Sequence, residues 1–141
     1  MIKTKNNFIA GEWIAGDNSI ENLNPSDLSD IIGHFAQANS RQLDKALDAA
    51  RTAQKIWATT GLEARQTVLM NIGNELMERS AELGKLLSRE EGKPLAEGEG
   101  EVYRAGQFFT YYAAEVLRQI GDTADSVRPN IEIDVRREPV G

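Results

Sequence analysis

Cysteine is absent from all 141 residues, which excludes disulfides, thiolate metal sites and a cysteine nucleophile within them. Histidine occurs once, at His34, too few for a histidine zinc cluster or a serine–histidine triad. In Ile31-Ile32-Gly33-His34-Phe35-Ala36 that ring reads as an ordinary outward or partly buried strand side chain. No apolar run approaches the ~18 residues that a membrane helix needs, so no membrane partner is expected. The lysine-bearing start, Met1 to Asn7, leads into a mixed segment without the apolar middle of a signal peptide, and the expected location is cytoplasmic. Clustered positive charge is also missing: 16 basic residues are scattered among 22 acidic ones, for a net charge of −6. That excludes a nucleic-acid partner, whose phosphates are held by grouped Lys and Arg. No internal repeat or low-complexity tract is present.

What is there has the size of one domain and the 40% hydrophobic, 27% charged balance of a globular chain. Phe8-Ile9-Ala10-Gly11-Glu12-Trp13-Ile14 places two β-prone runs around a glycine turn and predicts a tight hairpin. Asn24-Pro25-Ser26-Asp27 is a turn cluster, with Asn24 extended before the proline. Helices follow the strand around His34. Ser40 is the expected N-cap of the first, with Leu43, Ala46, Leu47, Ala50, Ala53 and Trp57 on one face. Thr60 and Glu63 make a capping-box pattern ahead of Val68, Leu69, Ile72 and Leu76.

A third helix is expected from Ser80, packing Leu83, Leu86 and Leu87 and closing at Gly92, where a glycine can take positive φ; Pro94 then opens the fourth. The fourth helix is expected over residues 95–120, with Val102, Ala105, Phe109, Tyr112, Ala113, Val116 and Ile120 on its apolar face. Gly98, Gly100 and Gly106 each cost it about 1 kcal/mol relative to alanine, so tertiary packing or close backbone approach is expected to compensate. Phe108, Phe109, Tyr111 and Tyr112 read as core rather than a stacking site. Glu90, Glu91, Glu97, Glu99 and Glu101 read as a solvated face that complements the helix dipole, rather than acid/base pairs. At the end of the chain, Ile131, Ile133 and Val135 alternate with Glu132, Asp134 and Arg136 at the strand period. No nearby run supplies a covering sheet, so polypeptide outside these residues is expected to do so.

Taken in order, these pieces resemble the N-terminal part of an aldehyde dehydrogenase. They are Phe8-Ile9-x-Gly11-Glu12-Trp13, Asn24-Pro25, Ala49-Ala50-Arg51-x-Ala53 with Trp57, Arg65, Glu91-Gly92-Lys93-Pro94, Glu101-Val102, Tyr111-Tyr112-Ala113 and Arg137-Glu138-Pro139-Val140-Gly141. Asn24-Pro25-Ser26-Asp27 followed by Ser29-Asp30-Ile31-Ile32-Gly33 is most similar to bacterial 2-oxoglutarate semialdehyde (2,5-dioxopentanoate) dehydrogenases.

The resemblance implies an α/β fold with a Rossmann-type cofactor domain for the whole protein; this segment would be mainly helical, with an N-terminal hairpin and a C-terminal oligomerisation strand. Residues 1–125 would belong to the cofactor domain and 126–138 to the arm strand, with 139–141 beginning the first Rossmann strand. Strand 131–137 would join subunits into a homodimer or homotetramer. The implied chemistry is attack of a cysteine thiolate on an aldehyde, hydride transfer to NAD or NADP, and hydrolysis of the thioester by water that a glutamate activates. Its catalytic and cofactor-binding residues are all expected outside these 141 positions. The resemblance also implies a structural monovalent cation held at Asn22, Leu23 and Glu90 by oxygen ligands. The plainer reading of Glu90 is a solvated last-turn residue. Lys93 lacks the G-x-x-x-x-G-K-[ST] context of a phosphate-binding lysine. A standalone helical binding or scaffold module without catalysis is the alternative to an enzyme segment.

Overall fold

A computed structural model describes residues 4–118 and 121–140. The expected helix-end residue Ile120, the start Met1 to Lys3 and the terminal Gly141 lie outside the described residues. The order is β1 (Asn7–Ile9), β2 (Glu12–Ile14), β3 (Asn18–Asn24), β4 (Asp27–Gln37), α1 (Ser40–Thr59), α2 (Leu62–Glu78), α3 (Ser80–Glu91), α4 (Leu95–Glu115), β5 (Asp122–Asp125) and β6 (Glu132–Val135). A 3-10 turn at Val116–Arg118 continues α4.

The strands form three antiparallel ribbons, β1 with β2, β3 with β4 and β5 with β6. The first turns through Ala10 and Gly11, both at positive φ (54° and 84°), the conformation a two-residue hairpin turn demands. Ile9 points inward, while Phe8 and Trp13 pair across the open face with ring centroids 4.9 Å apart. In the second ribbon Asn22 pairs with Gly33 and Leu23 with Ile31, so Ile32 is an extra residue on β4. Sequence reading found β4 only in part and missed β3, because Asn18-Ser19-Ile20-Glu21-Asn22-Leu23-Asn24 is too polar to stand out as a strand.

Helix α4 lies against both α2 and α3. Its buried residues are Gly98, Val102, Gly106 and Ala113, a narrow stripe of small side chains. The backbones come so close that side chains are excluded at the crossings. A Cβ on Gly106 would sit 2.5 Å from Met77 Cγ and 2.7 Å from the Gly73 carbonyl oxygen, and one on Gly73 would sit 2.7 Å from Thr110 Cγ2. On the other side, a Cβ on Gly98 would come within 2.5 Å of the Gly84 carbonyl oxygen, and one on Gly84 would collide with Glu99 Cα. Close approach therefore accounts for Gly98 and Gly106. It does not account for Gly100, whose Cβ would meet nothing within 4 Å.

Three of the four rings of α4 expected in the core lie outside it, and Phe109 is half-buried. Phe108, Tyr111 and Tyr112 are 58–59% exposed, because the buried stripe is reserved for residues small enough to let the helices touch. Two expected caps also differ. Asn39, not Ser40, caps α1, its side-chain oxygen accepting from the Gln42 amide at 2.9 Å. Gly61 stands at the N-cap of α2, and Thr60 instead donates back to the Ile56 carbonyl at 2.9 Å, so no capping box forms. Thr60 stays with the end of the preceding helix because its hydroxyl finds a carbonyl there first.

Two elements are left almost uncovered. No residue of α1 is buried, and its apolar face shows Leu43 at 56% and Leu47 at 46% exposure. Strand β6 does have a partner, β5, which the short polar run Asp122-Thr123-Ala124-Asp125 concealed; Ala124 pairs with Ile133. The expectation of a strand without a neighbouring sheet did not include this partner. Pairing satisfies the backbone but not the side chains, and Ile131, Ile133 and Val135 remain 46–49% exposed. A lone two-stranded ribbon is marginal in water, so these side chains mark a face that stability requires to be covered.

Replacing Gly84 or Gly106 with alanine is expected to destabilise the helical unit by about 1–3 kcal/mol through overpacking. Gly100→Ala should stabilise it by about 1 kcal/mol. Urea unfolding followed by far-ultraviolet circular dichroism separates the two directions; a neutral Gly84→Ala would show that the helices do not touch there.

Candidate functional site

Two of the residues to which the resemblance assigns a cation, Asn22 and Glu90, meet where the β3–β4 ribbon lies against the end of α3. Gly92 ends α3 in the left-handed region, φ 73°, and its N–H donates to the Ser88 carbonyl at 2.8 Å. Helix α4 starts three residues later, with Pro94 at its N-cap. Against this junction lies the turn after β3, in which the Ser26 N–H donates to Asn24 Oδ1 at 2.9 Å. Ser26 Oγ in turn donates to the Gly92 carbonyl at 2.8 Å. A Cβ on Gly92 would lie 2.6 Å from that hydroxyl, so glycine is required both for the φ value and for the contact.

An ion pair further fastens the ribbon to α3. Arg89 donates through Nε and Nη2 to the two oxygens of Asp30, at 2.8 and 2.6 Å, a bidentate fork. Asn24 Nδ2 adds a third donor to the Asp30 carboxylate at 3.2 Å. The Arg89 fork, helped by Asn24, pulls the Asp30 carboxyl down to about 2. The same fork raises the Arg89 guanidinium. Both side chains are about one-third exposed, so the pair is partly screened by solvent.

The expected cation ligands Asn22 and Glu90 are brought together, with Asn22 Nδ2 donating to Glu90 Oε1 at 3.1 Å. Leu23 follows in β3, half-buried, at the register irregularity opposite Ile31. Glu90 itself is exposed. Among the described residues, no group of three or more His, Asp or Glu side chains is placed to hold a metal. Any cation here would therefore rely on one carboxylate and neutral oxygens.

Lys93, its side chain only 16% exposed, has a structural task. It bridges Glu91 and Glu101, both at 2.5 Å, and these pairings raise its pKa, with Glu101 the larger influence. Glu91 and Glu101 are thus paired across the α3–α4 junction rather than merely solvated. His34 stands across the ribbon from Glu21, its Nε2 3.9 Å from the carboxylate. Tyr111 and Tyr112 meet edge-on, centroids 5.2 Å apart, beside an open groove that Leu69 and Val116 also line. The Asp30–Arg89 pair escaped sequence reading because its members are 59 positions apart and neither carries a local motif.

The profile of the aldehyde dehydrogenase family matches residues 13–141. The chain is 32% identical over its full length to an alpha-ketoglutarate semialdehyde dehydrogenase of Haloferax volcanii, of which it covers 30%. It is 33% identical, over 95% of its length, to the NADP(+) succinate-semialdehyde dehydrogenase GabD of Escherichia coli, of which it covers 28%. Among solved structures, succinate-semialdehyde dehydrogenase from Burkholderia pseudomallei superposes on 99% of the chain with a TM-score of 0.87 at 30% identity, using 29% of that enzyme. The chain thus spans about 30% of the length of the curated relatives it matches.

The depressed Asp30 carboxyl predicts a pH dependence whose sign is fixed. A carboxylate bound more tightly to its proton when unfolded, near 3.9, than when folded, about 2, contributes stability that is complete above pH ~4 and lost as pH falls towards 2. Asp30→Asn should flatten that part of the stability profile while leaving its shape above pH 5 unchanged. Urea midpoints measured across the acid range test this; an unaltered acid limb would mean that the fork does not form.

Proposed function

The chain belongs to the aldehyde dehydrogenase family, and from that premise we propose that it is the amino-terminal part of an enzyme that oxidises an aldehyde to its carboxylate with NAD or NADP. The observation that carries the reading is the full-length match to the amino-terminal portion of semialdehyde dehydrogenases, joined to apolar faces on α1 and β6 that these residues leave open. The substrate we propose is a short semialdehyde bearing a carboxylate, 2-oxoglutarate semialdehyde first, since the Haloferax volcanii relative is named for that activity. The nicotinamide cofactor accepts the hydride when bound. These residues contain no cysteine, so a thiolate nucleophile must come from polypeptide beyond them.

Within that enzyme, residues 1–125 are proposed to form part of the cofactor domain and 126–138 the oligomerisation arm strand, with Asp122–Asp125 as its antiparallel partner. Positions 139–141 are proposed to lead into the first Rossmann strand. The half-exposed Ile131, Ile133 and Val135 are the side chains a second subunit would cover in a homodimer or homotetramer. Asn22, Leu23 and Glu90 are proposed to supply oxygens to a structural monovalent cation. The contact between Asn22 and Glu90 supports that grouping, and hard cations prefer such neutral and carboxylate oxygens.

Three measurements test these proposals. A polypeptide that carries this chain as its amino-terminal portion should reduce NAD or NADP when given 2-oxoglutarate semialdehyde, whereas the 141 residues alone should not. Turnover by the short chain would place the chemistry wrongly, and a coding sequence that stops after Gly141 would favour a helical binding module. In the longer polypeptide, Ile133→Asp should lower the sedimentation mass to that of a smaller assembly; an unchanged mass would remove β6 from the interface. Melting in potassium or sodium chloride should exceed that in choline chloride at equal ionic strength, and Glu90→Gln should abolish the difference. Equal melting in all three salts would discard the cation.

A further inference from the structure

We draw no further inference here: the strongest candidate, the open groove between α2 and the C-terminal end of α4 lined by Leu69, Tyr111, Tyr112 and Val116, is an unpartnered face, and nothing in the structure shows what covers it.

Discussion

Helix α4 can touch α2 and α3 at once only where there is no Cβ in the way. Gly73 and Gly106 provide this on one side, Gly84 and Gly98 on the other. Each glycine weakens its own helix by about 1 kcal/mol relative to alanine, and the loss is offset by dispersion contacts that a larger residue would push apart. The β3–β4 ribbon is placed by this contact. It sets where α3 ends, hence where Gly92 turns, and hence where the β3–β4 ribbon can dock through Ser26, Asp30 and Asn22.

The same constraint explains the meagre core. Packing through glycine brings backbones together but buries few large side chains, and the only buried apolar residues described are Ile9, Val102 and Ala113. The ribbon is fastened to α3 by polar links that are themselves part-exposed, chiefly the Arg89 fork on Asp30. Such pairs fix geometry more than they add stability when solvent screens them. Leu43 and Leu47 on α1 and Ile133 and Val135 on β6 lie open on the remaining faces. A 141-residue chain that closed on itself would have hidden these side chains first. Their exposure fits a segment that spans about 30% of the relatives it matches.

Local signals were legible and distant ones were not. Gly92 and Pro94 marked a helix junction because φ and the missing N–H act within a few residues. The alternation at Ile131, Ile133 and Val135 marked β6, whereas its partner β5 has no alternating apolar residues to reveal it. Capping failed by one position at Asn39, where two adjacent residues could both serve and the asparagine won the Gln42 amide. At Thr60 the hydroxyl turned back to Ile56 instead of forward. Phe108, Tyr111 and Tyr112 were misassigned to the core because hydrophobicity was read as burial, while the crossing distance admits only small residues. In the candidate site, the Asn22, Leu23 and Glu90 grouping came from family resemblance. The Asp30–Arg89 fork joins positions that only the fold brings together.

The central claim is that α1 and the β5–β6 ribbon are finished by contacts with polypeptide beyond these residues, while α2, α3 and α4 form a unit through their glycine crossings. Amide hydrogen exchange, compared between the 141-residue chain and a longer polypeptide containing it, tests this most directly. The account predicts similar protection across α2–α4 in both, and protection of α1 and the ribbon only in the longer one. Equal, strong protection of α1 and β6 in the short chain would contradict it.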